Sequence, residues 1–170
     1  PSSATSDTIP ERLLADLGQD LDLASFQAAG VVGNLAQETG NFRYIQEITP
    51  LVDGSRGGIG YAQWTGPRRD TFEDWAGPDA DLASYEANYA FLLHELSTDY
   101  AHVLADLRAT STLEEASRLF MLEFLKPHRA YRHFEARVTY ATDYLEGDFE
   151  GAGCAARHEV MRDDRLVTIA

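Results

Sequence analysis

Apolar positions recur at helical spacing along most of this chain, and the pattern lapses in one stretch only. The first segment starts at Thr8, where Thr8 and Glu11 form a capping-box pair, Pro10 sits in the first turn and Gly18 lies near the end. A second helix is expected from about Leu23 to Thr39, with Gly40 as its stop. Its Ala28, Ala29, Gly30 and Gly33 lower helix propensity but let neighbours approach closely, so this helix reads as central and buried on several sides. From Asn41 to Gly66 the helical period vanishes. Two aromatic-bearing arms, Phe42–Ile48 and Ile59–Trp64, flank the turn-rich Asp53-Gly54-Ser55-Arg56-Gly57-Gly58, which predicts a small irregular β-hairpin. Helical patterning resumes over Pro67–Trp75, Leu82–Leu96, Tyr100–Arg108, Thr112–Leu125 (with a Thr112/Glu115 capping box) and His128–Leu145.

These elements predict an α+β fold, mostly α, with a small β-hairpin insertion beside a central buried helix. Residues 1–146 form one domain, and 147–170, rich in glycine and charge, form a C-terminal tail or a short strand at Arg165–Ile169. A chain of 170 residues with 44% hydrophobic content is large enough to bury a core. No run approaches the roughly 18–20 apolar residues that cross a bilayer. The first residues show no initiator Met, basic region or apolar core, so the expectation is a processed chain, or a part of a longer one, without a signal peptide.

Charge narrows the partners. A formal net charge of −14 repels polyphosphate and anionic lipid, so nucleic acid and membrane surfaces are not expected partners. Cys154 is the single cysteine, and neither His94-Glu95 nor His158-Glu159 has the second histidine of a metal motif, so no metal or cofactor is expected.

The chemistry points elsewhere. Glycosidic cleavage needs a carboxyl group that stays protonated near neutral pH. Glu38 ends the small-residue helix, stacked over Val31, Asn34 and Leu35, and both apolar surroundings and the negative end of the helix favour the protonated form. An ordinary solvated last-turn glutamate fits the same local pattern. In the loop that follows, Gly57, Gly58 and Gly60 allow close backbone approach, Gln63 offers a donor and an acceptor, and Tyr61 and Trp64 offer faces for sugar rings. The same aromatics would also serve as core. Arg68 and Arg69 suit a lactyl or stem-peptide carboxylate, or ordinary ion pairs at a helix start. Asp53 and Glu47 are the candidate second carboxylates, although Asp53 in Asp-Gly is also a normal turn residue.

Asn34-Leu35-Ala36-Gln37-Glu38-Thr39-Gly40, followed by Gly57-Gly58-Ile59-Gly60-Tyr61-Ala62-Gln63-Trp64-Thr65-Gly66, resembles the phage tail (tail-tip) lysozyme family. That family combines an Asn-Leu-x-x-Glu-Ser/Thr-Gly helix end with a Gly-Gly-x-Gly-x-x-Gln-Trp-Thr-Gly segment. The likeness continues through Glu86–Leu96 and Phe120–Phe124 and covers roughly residues 10–146. More distantly, Glu38-Thr39 and Gly60-Tyr61-Ala62-Gln63 are similar to the Glu-Ser and Gly-Leu-Met-Gln signatures of goose-type lysozymes and lytic transglycosylases. The resemblance implies a lysozyme-like fold that cuts peptidoglycan between N-acetylmuramic acid and N-acetylglucosamine. Glu38 would be the general acid and Gln63 would line the cleft, with Tyr61, Trp64 and Arg68 beside it and Asp53 carried over weakly as the second carboxylate. The expected products are those of a muramidase or a lytic transglycosylase. The expected location is a virion tail or related delivery particle acting in the periplasm or cell wall, with peptidoglycan strands and other tail proteins as partners. The alternative is a non-catalytic glycan-binding or structural tail module on the same fold.

Overall fold

A computed structural model describes residues 8–47, 50 and 52–150. Among them are seven α-helices: α1 (Ile9–Leu21), α2 (Ser25–Thr39), α3 (Gly66–Ala76), α4 (Tyr85–Ser97), α5 (Ala101–Ala109), α6 (Leu113–Leu119) and α7 (Phe134–Leu145). A π-helical turn, Phe120–Leu125, continues α6, and a 3-10 turn, Arg129–Tyr131, precedes α7. The strand expected at Arg165–Ile169 and the rest of the tail beyond 150 lie outside the described residues.

α1 starts as its capping box requires. Glu11 Oε2 accepts the Thr8 N–H at 2.8 Å while the Thr8 hydroxyl oxygen accepts the Glu11 N–H at 3.5 Å. α2 is the axle of the molecule. Every residue from Gln27 to Ala36 is buried, and the helix packs on α7 most extensively, then on α6 and α1. Two glycines make this possible. A Cβ on Gly33 would lie 2.5 Å from the Arg137 carbonyl oxygen of α7, and one on Gly30 would lie 2.9 Å from Ala116 and Ser117 of α6. Asn34 ties the same faces together, its Nδ2 donating to Gly30 O at 2.8 Å and Ser117 O at 2.9 Å. Fully buried Val31, Val32 and Leu35 each contribute about 1.5–3 kcal/mol of apolar transfer energy. Gly40 ends the helix in the left-handed region, φ 56°.

Among the described residues the predicted β-hairpin forms no regular strands. Among the described residues, pairing of its two arms is limited to isolated antiparallel bridges, Gln46 with Ile59 and Ile59 with Trp64. The reason is local. Ile59 bonds both ways, and the tight Gly60–Gln63 turn, with φ 80° at Gly60 and 49° at Gln63, reverses the chain before a ladder can extend. The Gln46 amide also donates to the carbonyls of Glu47, Arg56 and Gly58, replacing ladder bonds with side-chain ones.

Two other expectations shift. The segment Thr112–Leu125 is α only to Leu119 and then widens into the π turn, ending at Lys126 with φ 53°. The segment His128–Leu145 is broken at His133, φ 40°, so only Phe134–Leu145 is a regular helix. No helix of the described residues is long and apolar enough to cross a membrane.

Candidate active site

Glu38 closes α2 with its side chain 8% exposed. Its environment is not the apolar one that its helical neighbours predict. Arg137, rising from α7 and 1% exposed, donates from Nη2 to Glu38 Oε1 at 2.7 Å. Arg137 is itself held from every direction. Its Nη1 reaches Asn34 Oδ1 at 3.2 Å and Asn34 O at 3.3 Å, its Nε reaches Arg132 O at 2.5 Å, and Nη2 also faces Tyr131 O at 3.4 Å. The guanidinium therefore fixes the carboxylate and the chain entering α7 at once. Sequence reasoning missed Arg137, yet a signal was present: it shares the buried i, i+4, i+7 stripe of α7 with Ala141 and Tyr144, where an apolar residue would be usual.

The loop residues assigned to sugar contact are mostly turned inward. Trp64 is 1% exposed, with its ring 4.7 Å from Phe72 and 4.9 Å from Phe91, and its Nε1 donates to Glu95 Oε2 at 2.6 Å. It is a core residue and not a sugar platform. Tyr61 is likewise 1% exposed, edge-on to Phe42 and Tyr85, with its hydroxyl lacking a partner among the described residues. Burial pushes its phenol well above the ordinary tyrosine value. Only its backbone position serves the loop, the Tyr61 N–H donating to Asn88 Oδ1 at 2.8 Å.

Gln63 is partly exposed, but its Nε2 is engaged by Gly60 O at 2.9 Å and Ile45 O at 3.2 Å. The glycines admit the protein's own groups. A Cβ on Gly58 would lie 2.8 Å from Gln63 Oε1, one on Gly57 2.9 Å from Glu47, and one on Gly60 2.5 Å from Asn88 Oδ1. Glu47 is turned into the loop, its Oε2 accepting the Gly58 N–H at 2.9 Å. Asp53 lies exposed in the turn.

Arg68 and Arg69 are both spoken for. Arg68 grips Glu95 bidentately at 2.9 and 2.7 Å, and its Nη1 donates to Phe124 O at 2.9 Å. Arg69 pairs with Glu73 at 2.8 Å and reaches Arg56 O and Gly57 O. Glu95, 7% exposed, thus joins Trp64 and Arg68 in one buried cluster. It too occupies an apolar stripe, between Phe91, Leu92 and Leu96 of α4.

Of the residues singled out from sequence, the structure thus leaves Glu38 in a partly open, ion-paired position at a helix end, and Asp53 at the surface. The sequence profile described as phage tail lysozyme matches residues 19–147, about three quarters of the chain. The chain belongs to the phage tail lysozyme family. The matched segment runs from the end of α1 through α7, so it includes both Glu38 and Arg137. No curated protein and no solved structure matches the chain. Membership supports a lysozyme-like, peptidoglycan-degrading enzyme associated with a virion tail.

Proposed function

We propose that this protein cleaves the β-1,4 bond between N-acetylmuramic acid and N-acetylglucosamine, with Glu38 as the proton donor. The observation that supports it is the placement of Glu38: a carboxyl group at the open end of an otherwise buried helix, oriented through Oε1 by a fully buried arginine. In the reaction Glu38 takes up a proton from solvent on Oε2, the oxygen that Arg137 does not hold, and passes it to the glycosidic oxygen as the bond to the muramyl anomeric carbon breaks. The carboxylate left behind faces Arg137, which stabilises the charge that the step creates.

Two completions balance. In hydrolysis, a water adds to the anomeric carbon while a carboxylate such as Asp53 takes its proton, giving a reducing end. In transglycosylation, the muramyl 6-hydroxyl adds instead and returns its proton to Glu38, giving a 1,6-anhydro end with no second carboxylate. Gln63, partly exposed, is the loop residue proposed to line the sugar cleft. Residues 1–146 form the catalytic unit, and 147–170 a C-terminal tail to which no role is assigned. Carried on a virion tail or related particle, the enzyme would thin the wall locally, its partners being glycan strands and other tail proteins.

A second reading has its own support. The Glu38–Arg137 ion pair, with Trp64, Tyr61 and Arg68 consumed inside the protein, suits a wall-binding tail module that keeps the fold without turnover. Mass spectrometry of soluble products from purified peptidoglycan separates the two. Reducing-end muropeptides from wild type and none from Glu38→Gln establish the hydrolase; 1,6-anhydro ends establish the transglycosylase. No products from wild type on several peptidoglycan chemotypes would leave the binding module. Because Arg137 loses a charged partner in Glu38→Gln, the variant's fold is checked by circular dichroism in the same experiment.

A further inference from the structure

The chain has a single lysine, Lys126, and it lines a cavity of about 330 Å³ formed by α3, α4, the start of α5 and the end of the π turn. Four basic side chains meet there, Arg68, His94, His102 and Lys126, in a protein whose formal net charge is −14. Two of the chain's five histidines are among them. With Glu95 and Asp99 in the same lining the cavity is formally neutral, against the strongly negative charge of the whole chain.

The π turn ends on Lys126, which caps it in the left-handed region, φ 53°, with its N–H donating to Met121 O at 2.9 Å, and this places the side chain at the cavity. Arg68 captures the Phe124 carbonyl of that turn at 2.9 Å, so the wall of the cavity and the Arg68–Glu95 pair are one construction. Aromatic rings supply the remaining surface. The Arg68 guanidinium lies 4.6 Å from the Tyr100 centroid and Lys126 Nζ 5.5 Å from the same ring, while His94, also in the lining, stacks at 5.6 Å on Trp75 behind it. Glu95 already neutralises Arg68, whereas Lys126 is exposed and no carboxylate forms an ion pair with it among the described residues. Asp99 also lines the cavity and weighs against a multiply charged ligand.

We infer that this cavity is a second binding site, separate from Glu38, for a singly charged carboxylate on a unit the size of a sugar or an amino acid. The volume sits at the low end of ligand pockets, which fits one ring or one residue and not a strand. Lys126 supplies the counter-charge, and Tyr100 and Phe91 supply apolar faces. That the carboxylate comes from the cell wall rests on the function proposed above; the site itself does not. Two wall sources share the chemistry, the lactyl carboxylate of N-acetylmuramic acid and the free carboxyl end of a stem peptide.

The test is titration of the full chain with probes that carry no glycosidic bond to cleave, followed by amide chemical shifts. The probes are N-acetylmuramic acid, a D-alanine-terminated stem tripeptide and, as the uncharged control, N-acetylglucosamine. One of the two carboxylates is expected to give saturable shifts at Tyr100, His102 and Lys126, and N-acetylglucosamine none there. Lys126→Gln should weaken that binding by about tenfold or more, and Lys126→Arg should restore most of it. Whichever probe saturates names the source. If neither carboxylate saturates these residues, if the neutral sugar matches them, or if Lys126→Gln binds as before while melting normally, the site is wrong. A Lys126→Gln chain should still release soluble muropeptides, so loss of binding here and loss of catalysis are read separately.

Discussion

Replacing Arg137 by methionine is the most demanding test of how this site is built. The side chain is 1% exposed and spends its donors on Glu38, Asn34, Arg132 and Tyr131. Removing it leaves the Glu38 carboxylate, 8% exposed, without its partner, a change that costs about 3–5 kcal/mol when one half of a buried pair is lost. Asn34, fully buried, loses the donor to its Oδ1, adding roughly 1 kcal/mol. Arg132 is exposed, so water replaces the bond to its carbonyl at little cost. The expected total of about 4–6 kcal/mol is a large share of the ~5–15 kcal/mol that holds a domain together. Urea unfolding followed by far-ultraviolet circular dichroism should show the midpoint falling by about 2 M at an m-value of ~2–3 kcal/mol/M. Combining Arg137→Met with Glu38→Gln removes both charges, and the double variant should be more stable than the sum of the singles predicts, by at least ~1 kcal/mol. A loss below about 1 kcal/mol for Arg137→Met, or strict additivity, would refute the view that this pair is buried, coupled and structural as well as chemical.

Four further outcomes are expected. Gly33→Ala places a methyl group 2.5 Å from the Arg137 carbonyl and 2.7 Å from Ala141, so it should cost about 2–3 kcal/mol in urea unfolding and lower wall-digesting activity by displacing α7. Trp64→Phe should destabilise by about 2–4 kcal/mol, because the indole fills the core and donates to Glu95, yet leave peptidoglycan pull-down by the folded fraction unchanged. Asp53→Asn should leave stability within ~0.5 kcal/mol, so any fall in muropeptide release assigns it to chemistry. Burial holds the phenols of Tyr61, Tyr85, Tyr89 and Tyr144 above the ordinary value of 10.0, so their contribution is complete below pH 10 and lost as pH rises further. The unfolding free energy, measured with phenolate absorbance, should therefore be flat up to about pH 9 and decline above pH 10.

Much of the frame was readable along the chain. Thr8 with Glu11, Thr112 before Glu115, and Gly40 after Thr39 are local signals, and each marks a helix end in the structure. The small residues of α2 announced close packing because only a missing side chain allows Gly33 to meet Arg137. What depended on partners distant in sequence was harder. Trp64 and Tyr61 read equally as platform or core, and only the arrival of Phe72, Phe91 and Tyr85 from later helices decides for the core. The glycine loop read as room for a ligand, whereas Glu47, Gln63 and Asn88 take that room. The bridges replacing the hairpin, the π turn and the break at His133 follow from side-chain captures such as Arg137 on Arg132 O, which no periodicity encodes. Arg137 and Glu95 were visible only as charges standing in apolar stripes.

The distance along the chain between Glu38 and Arg137 has a consequence for biogenesis. The carboxyl group is made early, but the guanidinium that orients it lies 99 residues downstream, on the last helix of the described fold. A ribosome-bound or truncated chain ending before α7 would carry Glu38 with nothing to hold it, and α2 with its longest packing face uncovered. On the role proposed for Glu38, competence to attack a wall would be acquired only when the final helix docks, and the chain would stay latent through its own synthesis until then.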